Sequence, residues 1–219
     1  VDYMLIKALR NMVEKQTSLG EIRGEIVLKI ITKIHGIAIP TMFQIFEEAD
    51  YNDDQRQRVT ANAITILGEI AKKRRDENLF EFLTKFLSTD YNRRVRSNAI
   101  SCLFYSKKYH KDAMAAFEDF LTSDEQYDKN AVAYMSGILG LKEMIPFIWQ
   151  MSSDLDHKNS TLLISLIRLR AKNSEVYLCH HLLNSEDKEI LKVLNQLSSV
   201  DSVESRFKVY THMLSHYPD

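Results

Sequence analysis

One short phrase, written twice, constrains this chain more than anything else in it. Arg58-Val59-Thr60-Ala61-Asn62-Ala63-Ile64 returns as Arg94-Val95-Arg96-Ser97-Asn98-Ala99-Ile100 at an offset of 36 residues. Self-similarity at such a period marks an array of repeated supersecondary units, each too small to bury its own apolar surface. Within the second copy, Val95, Ala99, Cys102 and Leu103 stand at i, i+4, i+7 and i+8 and form one apolar stripe of a helix. Arg94, Asn98, Ser101 and Tyr105 fall on a wetter neighbouring face. Asp90 lies just upstream, where a carboxylate favours the positive end of the helix dipole.

The ends of successive helices rhyme as well. Phe86-Leu87-Ser88-Thr89-Asp90 returns as Phe120-Leu121-Thr122-Ser123-Asp124, then as Gln150-Met151-Ser152-Ser153-Asp154, and more faintly as Leu182-Leu183-Asn184-Ser185-Glu186. Spacings of 34, 30 and 32 residues are each one helical hairpin. A helix is expected over 1–16, and a second over 21–35 with Gly36 as its C-cap. Pro40 is expected in the first turn of the next helix, where its missing N–H costs nothing. The apolar segment Leu162 to Leu169 reads as a helix sandwiched inside a stack, and Val203 to His216 as the last helix. The count is about thirteen helices, or six hairpins plus one, with no linker to divide residues 1–219. A compact helical bundle is the alternative, but a bundle has no reason to rewrite the same helix end every hairpin.

Composition limits function more than fold. The net charge of −1 and pI near 6.7 argue against a general nucleic-acid binder. No stretch approaches the roughly 18 apolar residues of a membrane span, and nothing reads as a signal peptide. Six Gly and three Pro leave little turn material for an all-β fold. Two cysteines, Cys102 and Cys179, far apart on expected helices, fit a reducing and therefore cytoplasmic setting. The start at Val1, directly in an amphipathic run, leads to the expectation of a fragment of a longer protein.

Asp90, Val95, Arg96 and Ala99 resemble the HEAT-repeat signature: an Asp in the turn, then Val-Arg and Ala in the second helix of the hairpin. Asp54, Val59 and Ala63 match at the same steps, with Thr60 in place of the Arg. From Asp124 onward the turn text persists while the Val-Arg pair is lost. The resemblance implies an all-α fold, a right-handed α-solenoid of HEAT-like hairpins whose second helices line a concave surface. It implies protein binding as the usual activity and names no partner.

On that concave face the expected contacts are Arg58, Asn62, Arg94, Asn98, Asn130 and Asn159, because an amide row can hold an extended peptide backbone and arginines add charge-assisted contacts. The competing account has each Asn satisfying backbone nearby. A basic edge of Lys72, Lys73, Lys107, Lys108, Lys142 and Lys172 marks the far ends of the second helices, extended by Arg74 and Arg75. Dipole complementarity explains such a row without a ligand; the functional reading makes it a dock for an acidic partner or anionic lipid.

Catalytic and metal chemistry find less support. His212 and His216 are i, i+4, but Met213 stands where an HExxH zinc site needs Glu. In Cys179-His180-His181, successive side chains diverge by about 100° and cannot converge on one ion. No cofactor and no metal are expected. The expectation is therefore a non-catalytic scaffold or adaptor module that binds a protein partner. The alternatives are a HEAT-like enzyme of the bilin-lyase type, or a regulatory cytoplasmic domain fused to a membrane transporter or cyclase.

Overall fold

The structure, a computed structural model, describes residues 2–15, 33–48, 53–154, 160–197, 200 and 202–216. Among these the chain is all-α, with twelve α-helices and no strand. Most of the helix expected over 21–35 lies outside the described residues, as does Asn159. The chain divides into two compact units, Val1–Thr122 and Ser123–Asp219. The division falls inside one of the repeated helix-end phrases.

Unit 1 contains α1 (Asp2–Lys15), α2 (His35–Glu47), α3 (Asp53–Arg74), α4 (Glu77–Thr84, continued by a 3-10 turn Lys85–Leu87), α5 (Arg93–Leu103) and α6 (His110–Leu121). Helix α3 is its centre and packs against α1, α2, α4 and α5. That position accounts for its all-round burial: Val59, Ala61, Ala63, Ile64, Ile66, Leu67 and Ile70 are all enclosed. Val95 and Ala99 on α5 are fully buried too, as the repeated phrase requires. Arg96 beside them keeps its charge at the rim. Its Nε donates to the Leu87 carbonyl at 3.1 Å, one amino group meets Asp119 at 2.9 Å, and the guanidinium lies over the Phe120 ring.

Unit 2 contains α7 (Gln126–Leu139), a 3-10 turn (Lys142–Met144), α8 (Ile145–Asp154), α9 (Ser160–Arg168), α10 (Ser174–Leu183), α11 (Asp187–Leu197) and α12 (Val203–His216). Here α9 takes the central place, against α7, α8, α10 and α11. All six residues from Leu162 to Ile167 are buried, in agreement with a sandwiched helix. Phe86 and Phe120 are buried at equivalent places in the first two helix-end phrases. In the third, burial moves one residue on to Met151 and leaves Gln150 exposed.

Three local expectations need correction. Helix α2 begins at His35, so Gly36 lies in its first turn and is not a C-cap, and Pro40 sits inside the helix. The cause is burial. Ala38, Thr41, Met42 and Ile45 form an i, i+3, i+4, i+7 stripe that starts before the proline and draws the helix upstream. The Thr41 hydroxyl donates back to the Ile37 carbonyl at 2.8 Å. The cap of α5 is Asn92, whose side-chain oxygen accepts from the Val95 N–H at 3.0 Å; Asp90 instead accepts from the Ser88 hydroxyl at 2.8 Å.

The central helices share an ending that the sequence does not advertise. Helices α3, α7 and α9 each close with a left-handed residue, Arg75 (φ 54), Gly140 (φ 72) and Arg170 (φ 57). In each, the next N–H reaches back to a carbonyl of the last turn: Asp76 to Ala71 at 3.0 Å, Leu141 to Ser136 at 3.0 Å, and Ala171 to Leu166 at 2.9 Å. This satisfies carbonyls otherwise orphaned at a helix end. Two arginines accept a conformation that costs a side chain about 1–2 kcal/mol.

Candidate functional site

The asparagine row holds helices together. Asn62 is buried on α3 and donates from Nδ2 to the Val13 carbonyl near the end of α1 at 3.0 Å. One turn earlier, Arg58 donates to the adjacent Glu14 carbonyl at 2.9 Å. These two side chains therefore reach the last turn of α1, where a helix end leaves carbonyls that need partners. Asn98 on α5 repeats the device on α3, donating to the Ala61 carbonyl at 2.9 Å and to the Thr65 hydroxyl at 3.1 Å. So Asn62 stands to α1 as Asn98 stands to α3. The expectation of amides left open for a partner's backbone is corrected for both. Arg94 is half-buried and engaged as well, and Asn130 accepts from Gln126 Nε2 at 3.2 Å along its own helix.

The clasp works because α5 lies unusually close to α3. A Cβ placed on Gly68 would collide with Cys102, meeting its Cβ at 2.6 Å and its Sγ closer still. The Cys102 sulfur lies 3.7 Å from the Ile64 carbonyl. Enclosure there pushes its thiol up to about 12, aided by the nearby Glu69 charge and opposed by Lys72. Cys102 as a residue keeps some surface, but the sulfur is walled in, and that sets its acidity. In unit 2, burial and Glu175 push the Cys179 thiol up to about 11. Both are free cysteines, and neither is a ready thiolate at neutral pH.

The basic edge is where side chains gather at a surface. Lys72, Lys73, Arg74 and Arg75 are exposed at the end of α3, and Lys107 and Lys108 are exposed in the loop between α5 and α6. Lys72, Arg75 and Lys107 line one open concavity of about 390 Å³ together with Glu77, Phe80 and Tyr105. Lys72 is seated over the Tyr105 ring, its Nζ 3.7 Å from the centroid. The Ser106 hydroxyl donates to Glu77 at 3.3 Å. Outside the concavity, Lys108 pairs with Glu81 at 3.7 Å, and Arg74 meets the His35 ring nitrogen at 2.6 Å. Lys142 and Lys172 are exposed in unit 2, in its 3-10 turn and in the loop between α9 and α10. Sequence reasoning found the cations here and missed the Tyr105 seat, because a ring at the foot of α5 meets a lysine of α3 only once the two helices are docked.

No other group of side chains among the described residues converges on a chemistry. Among the described residues no set of three or more His, Cys, Asp or Glu could hold a metal ion. The His212 and His216 rings lie with centroids 4.6 Å apart and planes tilted by 40°, and His216 Nδ1 sits 2.9 Å from the His212 carbonyl of its own helix. Cys179 is buried, His180 exposed and His181 between them in burial, as three consecutive helix positions dictate. No helix among the described residues is long and apolar enough to cross a membrane. Compared with known proteins, the chain matches no family model, no curated protein and no solved structure.

Proposed function

We propose that this chain is a non-catalytic protein-interaction module of the HEAT-like repeat kind, and that its docking surface is the basic edge of unit 1. The observation that carries the reading is the gathering of exposed cations from two separate segments, the end of α3 and the loop after α5, around one concavity. Dipole complementarity accounts for a lysine or two at each helix end, since a terminus carries only about half a charge. It does not require the cations of two different helix ends to line one concavity, as Lys72, Arg75 and Lys107 do. The repeat reading draws support from the buried Val95 and Ala99, from the Asn62 and Asn98 clasps, and from the shared endings of α3, α7 and α9. A cytoplasmic setting accords with the two free thiols.

Chemical cross-linking with a lysine-reactive reagent, followed by mass spectrometry of captured partners, tests this. Cross-links are expected to concentrate on Lys72, Lys73, Lys107 and Lys108. A pattern spread evenly over all exposed lysines, Lys142 and Lys172 included, would remove the basis for this docking edge.

A further inference from the structure

We infer that the concavity lined by Lys72, Arg75, Lys107 and Tyr105 is an oxyanion-binding subsite, and that its occupant is an acidic side chain of an extended segment of a partner protein. The inference deepens the reading above and rests on it.

Three features carry it. First, the charges in the lining are unbalanced. Lys72, Arg75 and Lys107 contribute three cations and Glu77 one carboxylate. None of the three cations has a carboxylate partner within salt-bridge reach among the described residues. Two neighbouring acids are already used: Asp76 accepts from the Asn78 and Leu79 N–H groups at 3.2 Å each and so caps α4, and Glu81 pairs with Lys108. Like charges brought together from two segments repel one another, and an incoming oxyanion relieves that repulsion.

Second, part of the lining is held in place before anything binds. Tyr105 positions Lys72 from below, Ser106 holds Glu77, and the backbone of Arg75 is fixed in the left-handed turn by the Asp76 to Ala71 hydrogen bond. Ordering long cationic side chains is a large part of what binding costs, so a seat that fixes Lys72 in advance favours affinity.

Third, the lining is mixed. Phe80 and Tyr105 give it an apolar edge beside the cations, which suits a peptide carrying an acidic residue next to an apolar one better than a bare ion. The oxyanion can be a carboxylate or a phosphorylated hydroxyl, since both present the same acceptor oxygens to Lys and Arg. A flat anionic lipid surface fits less well, because the concavity is bordered by Glu77 as well as by cations.

The test uses fluorescence anisotropy with three labelled peptides of one length, alternating Leu with Glu, with phosphoserine, or with Gln. The Glu and phosphoserine peptides are expected to bind the full chain with an affinity that falls steeply with salt, and the Gln peptide is expected not to bind. The double variant Lys72→Glu with Lys107→Glu should weaken binding at least tenfold with an unchanged melting temperature. Lys142→Glu with Lys172→Glu should stay within twofold of the wild type. Tyr105→Ala should weaken binding severalfold, and Tyr105→Phe, which keeps the ring under Lys72, should restore it. Equal weakening by both double reversals would mean generic charge attraction and overturn the subsite. So would capture of the chain by phosphatidylserine vesicles with no peptide bound. If the cross-linked partner maps to the basic edge while these peptides fail, the subsite falls and the interaction reading survives; a partner mapped to another face sinks both.

Discussion

The crossing of α3 with α5 in unit 1 and that of α7 with α9 in unit 2 solve one packing problem with different chemistry. Each brings a glycine of the earlier helix against a small residue of the later one, Gly68 against Cys102 and Gly137 against Ser165. In unit 1 the approach ends on a side chain, and polar groups then lock it through Asn98, Thr65 and the Ala61 carbonyl. In unit 2 a Cβ on Gly137 would meet Ser165 at its Cα (3.1 Å), Cβ (3.2 Å) and hydroxyl oxygen (3.3 Å), and that hydroxyl donates within its own helix to the Thr161 carbonyl at 2.8 Å. Around it Leu162, Leu163, Ile164, Leu166 and Ile167 of α9 are all buried. The α3–α5 crossing is thus specified by hydrogen bonds with one geometry, and the α7–α9 crossing by the fit of buried side chains. The polar solution fixes register; the apolar one tolerates rearrangement.

An aspartate scan should separate the two most widely. Every position from Leu162 to Ile167 is enclosed, so an aspartate at any of them should cost several kcal/mol through an unpaired buried charge. On α5 the cost should be confined to the buried positions, Val95→Asp above all, while Ser101→Asp should be mild. Chemical denaturation of each variant measures this. A uniform penalty along α5 would mean that α5 is as enclosed as α9.

The glycines give the next contrast. Replacing a helical glycine by alanine gains about 1 kcal/mol in propensity, and overpacking costs typically 1–3 kcal/mol. At Gly68 the collision with Cys102 dominates, so Gly68→Ala should be destabilising by about 2 kcal/mol and partly rescued by Cys102→Gly. At Gly137 the contact is tight without being prohibitive, and Gly137→Ala should be close to neutral. Equal losses at both sites would erase the distinction drawn here.

Much of the fold was legible because periodicity reports burial directly. The stripe through Val95 and Ala99, the enclosed Leu162–Ile167 segment and the recurring helix ends all follow from which positions are apolar. What could not be read depends on how close two helices come. Asn98 looks like an offered amide until Gly68 lets α5 approach α3, and Asn62 until α1 packs on α3, after which each donates to a main-chain carbonyl. The same holds for the left-handed Arg75 and Arg170, where a residue other than glycine ends the helix. Of the candidate site, the cations were legible and their seat on Tyr105 was not.

A smaller effect tests the clasp itself. Asn98→Ala removes two hydrogen bonds but leaves the Ala61 carbonyl within its own helix ladder, so the loss should be about 1 kcal/mol, with acidic-peptide binding unchanged. The opposite outcome, stable protein with lost binding, would return the asparagines to the interface. Deleting the hydroxyl of Ser165, which bonds only within α9, should change stability less than Asn98→Ala.

The least of the expected effects concerns acid and belongs to unit 2. Burial lowers the pKa of His181, against a weaker upward pull from the Glu189 carboxylate, and its Nε2 is enclosed without a hydrogen-bond partner. A base whose folded pKa lies below its unfolded value binds fewer protons folded than unfolded between the two. Stability then rises with pH across that window, and it is lost as pH falls from about 6.5, the ordinary histidine value, toward the folded one. Half of the side chain's surroundings are wet, which keeps the effect small. Mild acidification should therefore loosen the packing of α10 against α9, seen as faster amide exchange in α10 between pH 7.5 and 5.5 after correction for intrinsic rates. His181→Gln, which cannot take up the proton, should flatten that dependence. If the glutamine variant keeps the wild-type slope, the acid response comes from another group and the enclosed Nε2 has no part in it.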